Sequence, residues 1–388
     1  MLLEKNMIDI NLSESMQDFR TWYQMKIAKM PMRNIDIAKT MGIAEGKLLS
    51  AHQVECMKPS SANIASLRQF IKNEDLSMVT IALKNTWPEI IEYVKNFGEV
   101  MALTRNDACV MEKIGIYQSH QVNHHIGLMQ GEIELRIFYE KWHAGFLVIE
   151  NKSGREVLSL QFFNQLGQAI HKIYMRGVLK DNLLNELIEN FSIKSNCSKT
   201  SLIHLTTFED RFKNRIEHFV EDRQVDVDLL RKKWSEMRDT HEFHNLFKEF
   251  NISRTQALRL IGAEYATRVD QEAIEDVLRG ASEERIPLLI FVSNSGVLHI
   301  HHGCIYQVSK LNCWLNILDG NFNLHLRESL VDQIWIVRKP TIDGIVSSLE
   351  LFDRQGELIA LLFGDRKLGE PENSQWRQLI ENICEVNV

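Results

Sequence analysis

Residues 160–170 read Leu160-Gln-Phe-Phe-Asn-Gln-Leu-Gly-Gln-Ala-Ile170, and residues 349–359 read Leu349-Glu-Leu-Phe-Asp-Arg-Gln-Gly-Glu-Leu-Ile359. The second stretch repeats the first at a displacement of 189 positions. Each has an apolar strand end, a turn opened by Asn or Asp and containing Gly, and a returning apolar run. Glu134-Leu-Arg-Ile137 and Asn323-Leu-His-Leu326 stand at the same displacement, and nearer the start Met41-Gly-Ile43 lies over Phe250-Asn-Ile252. Self-similarity of this kind marks an internal duplication.

Working outward, the first copy carries strand signals at Val100–Thr104, Cys109–Tyr117, Ile133–Phe138, Phe146–Glu150, Val157–Phe163 and Ala169–Tyr174. Turn formers such as Asn106-Asp107, Asn151 to Gly154 and Gly167 separate them. Alternation with short turns predicts antiparallel sheet. Helical periodicity precedes the strands over residues 16–58 and returns at Leu183–Phe191; Lys58 to Thr86 is less regular. A Ser- and Lys-rich stretch, Ser192 to Thr200, has the composition of an exposed linker. The order then repeats, with helices from about Leu229 to Leu278. Strands follow at Leu288–Val292, Val297–His301, Trp314–Leu318, Phe322–Leu326, Gln333–Val337, Ile345–Phe352 and Leu358–Phe363. The expected fold is α+β, two repeats of paired antiparallel sheets with packed helices. The expected domains are residues 1–191, a linker at 192–228, and 229–388, with a ligand cleft where the halves meet.

Composition bounds the function. With 388 residues, 44% apolar and 25% charged, the chain can bury two full cores. No run of about 18 apolar residues occurs, and the acidic start MLLEKNMIDINLSESMQDF is not a secretory signal, so a cytoplasmic location without membrane insertion is expected. Six scattered cysteines contain no C-x-x-C pair, which argues against a disulfide framework, a cysteine zinc site and covalent haem attachment. A net charge of −7 argues against coating of nucleic acid. Ile37 to Leu49 has the spacing of a DNA-reading helix pair, but it lacks the basic excess that phosphate contact needs. No Walker, G-x-S-x-G or G-x-G-x-x-G pattern stands in the right context.

Histidines and cations remain. Trp234 to Arg254, WSEMRDTHEFHNLFKEFNISR, predicts a helix starting near Asp239 or Thr240, because Asp239 and Glu242 have capping-box spacing. His241 then sits in the first turn, where the helix dipole favours neutral imidazole and leaves a lone pair for a metal. Met237, His241, His244 and Phe247 also recur as a core-facing stripe would, so ligand and core readings both stand. His299 and His301 share one face of a strand in Val297-Leu-His-Ile-His-His-Gly303, the feature on which a metal-dependent hydrolase would rest; His124-His125 is a similar pair in a loop. Arg338-Lys339 and Asp365-Arg366-Lys367 follow strands and suit carboxylate or phosphate groups. Arg136 lies between apolar strand residues and faces either solvent or a cleft.

Several runs, read together, resemble the bacterial haemin-degrading factors, the HemS/ChuS-type cytoplasmic haem-utilisation proteins. They include Trp314-Leu-Asn-Ile-Leu-Asp319, Phe322-Asn-Leu-His-Leu-Arg-Glu328, Arg338 to Asp353, Gly356-Glu-Leu-Ile-Ala360, Glu112-Lys-Ile-Gly115 and Leu135-Arg-Ile-Phe138. The resemblance implies one non-covalent haem b in a cleft formed largely by the C-terminal half. It implies His241 as axial ligand to the iron, from Asp239-Thr-His-Glu-Phe243, and Arg136 as the distal, catalytic arginine. It further implies Arg254, Lys339 and Arg366 as propionate-binding positions. The partners implied are a haem-import system or downstream haem oxygenase, and an external electron donor. Departures from the family pattern are Met111 where some relatives carry a histidine, Leu361 and Phe363 where relatives can offer polar groups, and His244 in place of an aromatic.

Overall fold

The computed structural model describes residues 22–27, 32–54, 63–152, 154–177, 179–193, 219–240, 242–367 and 369–386. In chain order the first repeat holds α1 (Asn34–Thr40), α2 (Glu45–Ser50), α3 (Ile64–Asn73), β1 (Met78–Ala82), α4 (Trp87–Val94), β2 (Glu99–Arg105), β3 (Cys109–Ile116), β4 (Ser119–Asn123), β5 (Ile126–Gln130), β6 (Glu134–Phe138), β7 (Ala144–Lys152), β8 (Arg155–Phe163), β9 (Ala169–Met175) and α5 (Asp181–Phe191). The second holds α6 (Val227–Ser235), α7 (Glu242–Phe250), α8 (Arg254–Ile261), β10 (Ala266–Val269), α9 (Ala273–Glu283), β11 (Leu288–Ser293), β12 (Val297–Gly303), β13 (Val308–Leu311), β14 (Trp314–Leu318), β15 (Phe322–Arg327), β16 (Gln333–Thr341), β17 (Gly344–Phe352), β18 (Leu358–Gly364) and α10 (Ser374–Val386).

The repeat and the compact unit follow different boundaries. One unit comprises Met1–Val100 with Tyr139–Arg215; the other comprises Met101–Phe138 with Ile216–Val388. Strands β3 to β6, which belong to the first repeat by sequence, are thus built into the second unit. In the first unit β1, β7, β8 and β9 pair antiparallel in that order. Its helices cover the sheet through a core that includes Ile37, Ala38, Leu48, Leu49, Phe146 and Phe163. The segment with DNA-reading spacing is therefore buried by its own apolar residues.

In the second unit a nine-stranded antiparallel sheet has the order β10-β16-β17-β18-β11-β12-β6-β5-β4. A further ribbon pairs β3-β15-β14-β13. Strand residues alternate between the faces of the nine-stranded sheet. Ile290, Val292, Ile336, Leu349, Leu351 and Leu362 enter one core with α9 and α10. Towards β10 and β16, the helices α6 to α8 add a second core around Trp234, Phe243, Phe247, Trp335 and Val337.

The duplication survives at atomic detail in the turns. Asn164 Oδ1 accepts from the amides of Leu166 and Gln168 at 3.0 and 2.9 Å. Its counterpart Asp353 accepts from Gln355 and Glu357, both at 2.9 Å. Gly167 and Gly356 close these turns at φ 70° and 79°, a region that costs other residues strain. Likewise Asn106 Oδ1 accepts from Ala108 and Cys109, and Asn294 Oδ1 from Gly296 and Val297. Asn106 does more: its Nδ2 donates to the carbonyls of Ser293 at 3.1 Å and Ile359 at 2.8 Å, tying three strand ends together. Replacing Asn106 by Ala should lower the unfolding free energy by about 2 kcal/mol or more, since four hydrogen bonds go and partly buried backbone groups lose their partner. Urea denaturation measures this; a loss under about 0.5 kcal/mol would show that the turn does not depend on the side chain.

Candidate functional site

The face of the nine-stranded sheet turned away from α9 and α10 carries two of the sequence-predicted cations, Arg136 and Lys339, whereas Arg338 points to the other face and donates to Cys384 of α10. Strand register decides this. Glu350 pairs with Leu361, Leu361 with Phe291, and Phe291 with Ile300; alongside, Ser348 pairs with Phe363 and Phe363 with Leu289. Directly opposed residues share a face. Leu361, Phe363, Leu289, Phe291, Leu298 and Ile300 are all half-buried, whereas their neighbours along each strand are sealed in the core. They form an apolar floor across three strands. At one flank Arg136 of β6 pairs with Leu298 and projects to this same side, partly exposed. At the other flank stand Lys339, Ser348 and Glu350.

That second flank is a buried ion cluster. The Arg254 guanidinium, at the start of α8, holds both Glu350 oxygens through Nε and Nη2 at 2.7 Å each. Lys339 Nζ donates to Glu350 Oε1 at 2.7 Å and to Ser348 Oγ at 2.9 Å. Glu350 and Lys339 are 0% and 2% exposed, and Arg254 keeps 24% of its side chain in solvent. Rings complete the enclosure: Phe243 of α7 lies 4.9 Å from the guanidinium and 4.5 Å from the ammonium, and Phe363 lies 4.8 Å from the ammonium. Burial pushes the Lys339 ammonium below its ordinary range, against the pull of Glu350. Burial alone would raise the Glu350 carboxyl, but the charges of Arg254 and Lys339 override it and hold the group well down.

Of the three propionate positions implied by resemblance, Arg254 and Lys339 come together on this one carboxylate. Arg366 is engaged with Asp343 Oδ2 at 3.0 Å and the Glu370 carbonyl at 2.8 Å. His241 and the side chain of His244 lie outside the described residues. The flanks of His241 are well held: Trp234 Nε1 donates to the Arg338 carbonyl at 3.0 Å, and the Ile342 amide to the Arg238 carbonyl at 3.1 Å. The amides of Glu242 and Phe243 return to the carbonyls of Asp239 and Thr240 in a turn, and α7 itself starts at Glu242, later than the start near Asp239 or Thr240 that the capping-box spacing suggests. His299 and His301 do share a strand face, but it is the core face, with both side chains buried. His301 stacks on Phe322 with 3.6 Å between centroids, and burial pushes its imidazole down to about 3. Among the described residues no group of three His, Cys, Asp or Glu could hold a metal, so nothing there supports the hydrolase reading. Met111 is core.

The sequence matches the family described as haemin-degrading HemS.ChuX domain over residues 68–191 and again over 251–383, well over half the chain. The chain belongs to this family. It is 34% identical to the hemin transport protein HmuS of Yersinia pestis over 301 residues, covering 77% of this chain and 84% of the relative. The hemin transport protein HemS of Yersinia enterocolitica is 34% identical over 303 residues, with 78% and 85% covered. Among solved structures, holo-PhuS, a heme-binding protein from Pseudomonas aeruginosa, superposes with a TM-score of 0.82 at 32% identity over 95% of this chain and 99% of its own. ChuS, an E. coli heme oxygenase, gives 0.76 at 27% identity over 94% and 99%. The duplicated α+β fold expected from the repeats is the fold observed.

Sequence reasoning missed Glu350 and Phe243. Both sit in apolar periodic runs, and Glu350 reads as the solvent-facing residue of Ser-Leu-Glu-Leu-Phe. The signal available was the single cation Arg254 directly after the cap-forming Ser253, at a helix start where a positive charge needs a counter-charge. Replacing Glu350 by Gln should cost about 3 kcal/mol at neutral pH, because two buried cations lose their partner. A depressed carboxyl contributes stability above its ordinary value of 4.5 and loses it as pH falls towards about 2. The gap between wild type and E350Q, followed by chemical denaturation, should therefore narrow across that window; a pH-independent gap would contradict the assignment.

Proposed function

We propose that this chain is a haem-binding protein of haem uptake and iron acquisition, which carries haem and presents it for oxidative opening when an external donor supplies electrons. The observation that carries the proposal is the apolar floor with Arg136 at one flank and Arg254, Lys339 and Glu350 at the other. A porphyrin needs apolar contact over its faces and cations at its carboxylate edge, and this arrangement offers both. Kinship with the hemin transport proteins HmuS and HemS, with heme-binding PhuS and with the heme oxygenase ChuS supports the same reading.

In this reading His241, which precedes α7 in the sequence, would ligate the haem iron, and Arg136 would hydrogen-bond a water or oxygen species held there. Arg254, Lys339 and Arg366 provide the positive field at the propionate edge. Haem b is held without covalent bonds, since no C-x-x-C-H occurs in the sequence. The iron and porphyrin supply the oxidation chemistry; the protein supplies position and electrostatics. The proposed location is the cytoplasm; no helix among the described residues is long and apolar enough to cross a membrane. Proposed partners are a haem-import system or a downstream haem oxygenase, and an electron donor outside the chain.

Haemin titration into wild type, followed at the Soret band, should saturate near one haem per chain. His241→Ala should shift the band and weaken binding by roughly tenfold or more, the equivalent of about 1.4 kcal/mol. Met111→Ala should leave the titration unchanged and lower stability by about 2–5 kcal/mol, as for a core truncation. Identical spectra for wild type and His241→Ala would remove the ligand assignment.

A further inference from the structure

We propose that His302, held between Asp365 and Glu134, is a proton relay that serves the Arg136 side of the floor. The inference rests on the haem reading of the site and adds to it the source of protons for oxidative opening. His302 is the last outward residue of β12, two positions beyond Ile300, and pairs with Leu289 of the floor. Its Nε2 stands 2.7 Å from Asp365 Oδ2, just past the end of β18, and its Nδ1 stands 4.0 Å from Glu134 Oε1 on β6. The Asp365 amide donates to the Pro287 carbonyl at 2.8 Å, which fixes the backbone under that carboxylate. The two carboxylates approach opposite nitrogens of one ring, so they do not converge on a place for a metal ion. An imidazole flanked in this way can take a proton at one nitrogen and give one up at the other.

Oxidative chemistry on this face needs such a group. Porphyrin opening by dioxygen consumes electrons from the donor, and oxygen that leaves as water must gain protons with them. Arg136 cannot supply them, because a guanidinium keeps its proton. At the far flank Lys339 and Glu350 are committed to each other and to Arg254. Glu134 pairs with Ile300 and lies two positions from Arg136 on the same face of β6, about 7 Å along the strand. Glu134 is one third exposed and His302 half exposed, so solvent reaches the relay. A proton then passes from water to His302, from Nδ1 to Glu134 Oε1, and from Glu134 to the ligand beside Arg136. Asp365 holds Nε2–H meanwhile and is a positioning residue. Only N–H and O–H bonds form and break, and every electron comes from the external donor. The 4.0 Å gap closes by a turn of the Glu134 side chain, and such contacts are often long before substrate is bound. The other charged or titratable groups around the relay are Lys113, on which Glu134, Glu132 and Asp319 all act, His301 on the opposite face of β12, and Arg366, which is engaged with Asp343.

The test loads the full chain with haemin, turns it over with ascorbate in air and follows loss of the Soret band. His302→Gln, which keeps a donor for Asp365, should bind haemin within about twofold of wild type yet turn over roughly tenfold slower or more. Its rate should rise with the concentration of a sulfonate buffer that does not ligate iron, at fixed pH, whereas the wild-type rate should not. Glu134→Gln should show the same pair of changes. In the haem-free chain, NMR of the imidazole nitrogens, with His302 assigned by its loss in His302→Gln, should place the proton of the neutral ring on Nε2. Asp365→Asn should abolish that preference. A His302→Gln rate within about twofold of wild type, or a slow rate indifferent to buffer, overturns the relay while haem binding stands. A neutral ring protonated at Nδ1 overturns the role of Asp365. Wild type that binds haemin without turning it over also overturns the relay, because no proton is then consumed. Failure of haemin to saturate overturns the haem reading as well, so the two failures are distinct.

Discussion

The buried carboxylate of Glu350 is the constraint on which the site is built. Arg254 stands at the first position of α8, where the helix dipole disfavours a positive charge. Ser253 caps the helix and Gln256 closes a capping box, so the backbone is well satisfied, but neither offsets the guanidinium. Glu350 does, through both of its oxygens, and binds α8 to β17; through Lys339 it binds β17 to β16. Taking three charges out of water costs several kcal/mol per ion, and such a cluster persists only with good geometry and full hydrogen bonding. Here Ser348 and two aromatic rings supply the remainder. The cluster thereby fixes the helix that precedes it, α7, whose Phe243 is the ring both cations share.

The first repeat shows what the same scaffold does with the charges exchanged. At the displacement of 189 positions, Ser159 stands for Ser348, Gln161 for Glu350 and Glu150 for Lys339. Glu45 opens α2 as Arg254 opens α8. Its carboxylate pairs with buried Lys172 at 2.5 Å, and Glu150 accepts from Asn34 at 2.9 Å. Strand register and turn geometry are common to both copies, while the sign of the buried charge is reversed. In the first copy Glu45 ties α2 to Lys172 of β9, and Glu150 of β7 also meets Lys152 at 3.2 Å.

Much of this was legible from residues. The duplication, the long strands and the apolar alternation that sets their faces follow from periodicity, because a strand buried on one side must alternate. What escaped has identifiable causes. α4 was hidden behind Trp87-Pro88, which reads as a break, yet proline in the first helical turn costs no hydrogen bond. β10 is four residues long and follows three helices, and β4 is largely exposed and polar. Neither has enough apolar pattern to register. β1 was also unassigned, in the stretch from Lys58 to Thr86 that reads as less regular, and α10 lies in a C-terminal stretch to which no element was assigned. The exchange of β3 to β6 into the second unit is a property of long-range pairing, which local pattern does not encode.

Histidines illustrate why chemistry needs the third dimension. His299 and His301, at strand spacing, look more like a chelating pair than His241 does at a helix start. Strand spacing, however, says only that two side chains share a face. Here that face is the one sealed against Phe322 and the α9 and α10 core, where an imidazole is desolvated and stacked. The opposite face of the same strand carries Leu298 and Ile300, half-covered and apolar, beside Arg136. Alternation could not say whether Arg136 met water or a cleft, because either surrounds an arginine with the same neighbours in sequence. The difference lies in β11 and β18, whose outward residues are Leu289, Phe291, Leu361 and Phe363 and not the polar set of a solvated sheet. A sheet face left apolar, half-exposed and bounded by cations favours a flat ligand that is greasy across its plane and anionic at its rim, and Glu350 neutralises part of the positive charge that Arg254 and Lys339 bring to that boundary.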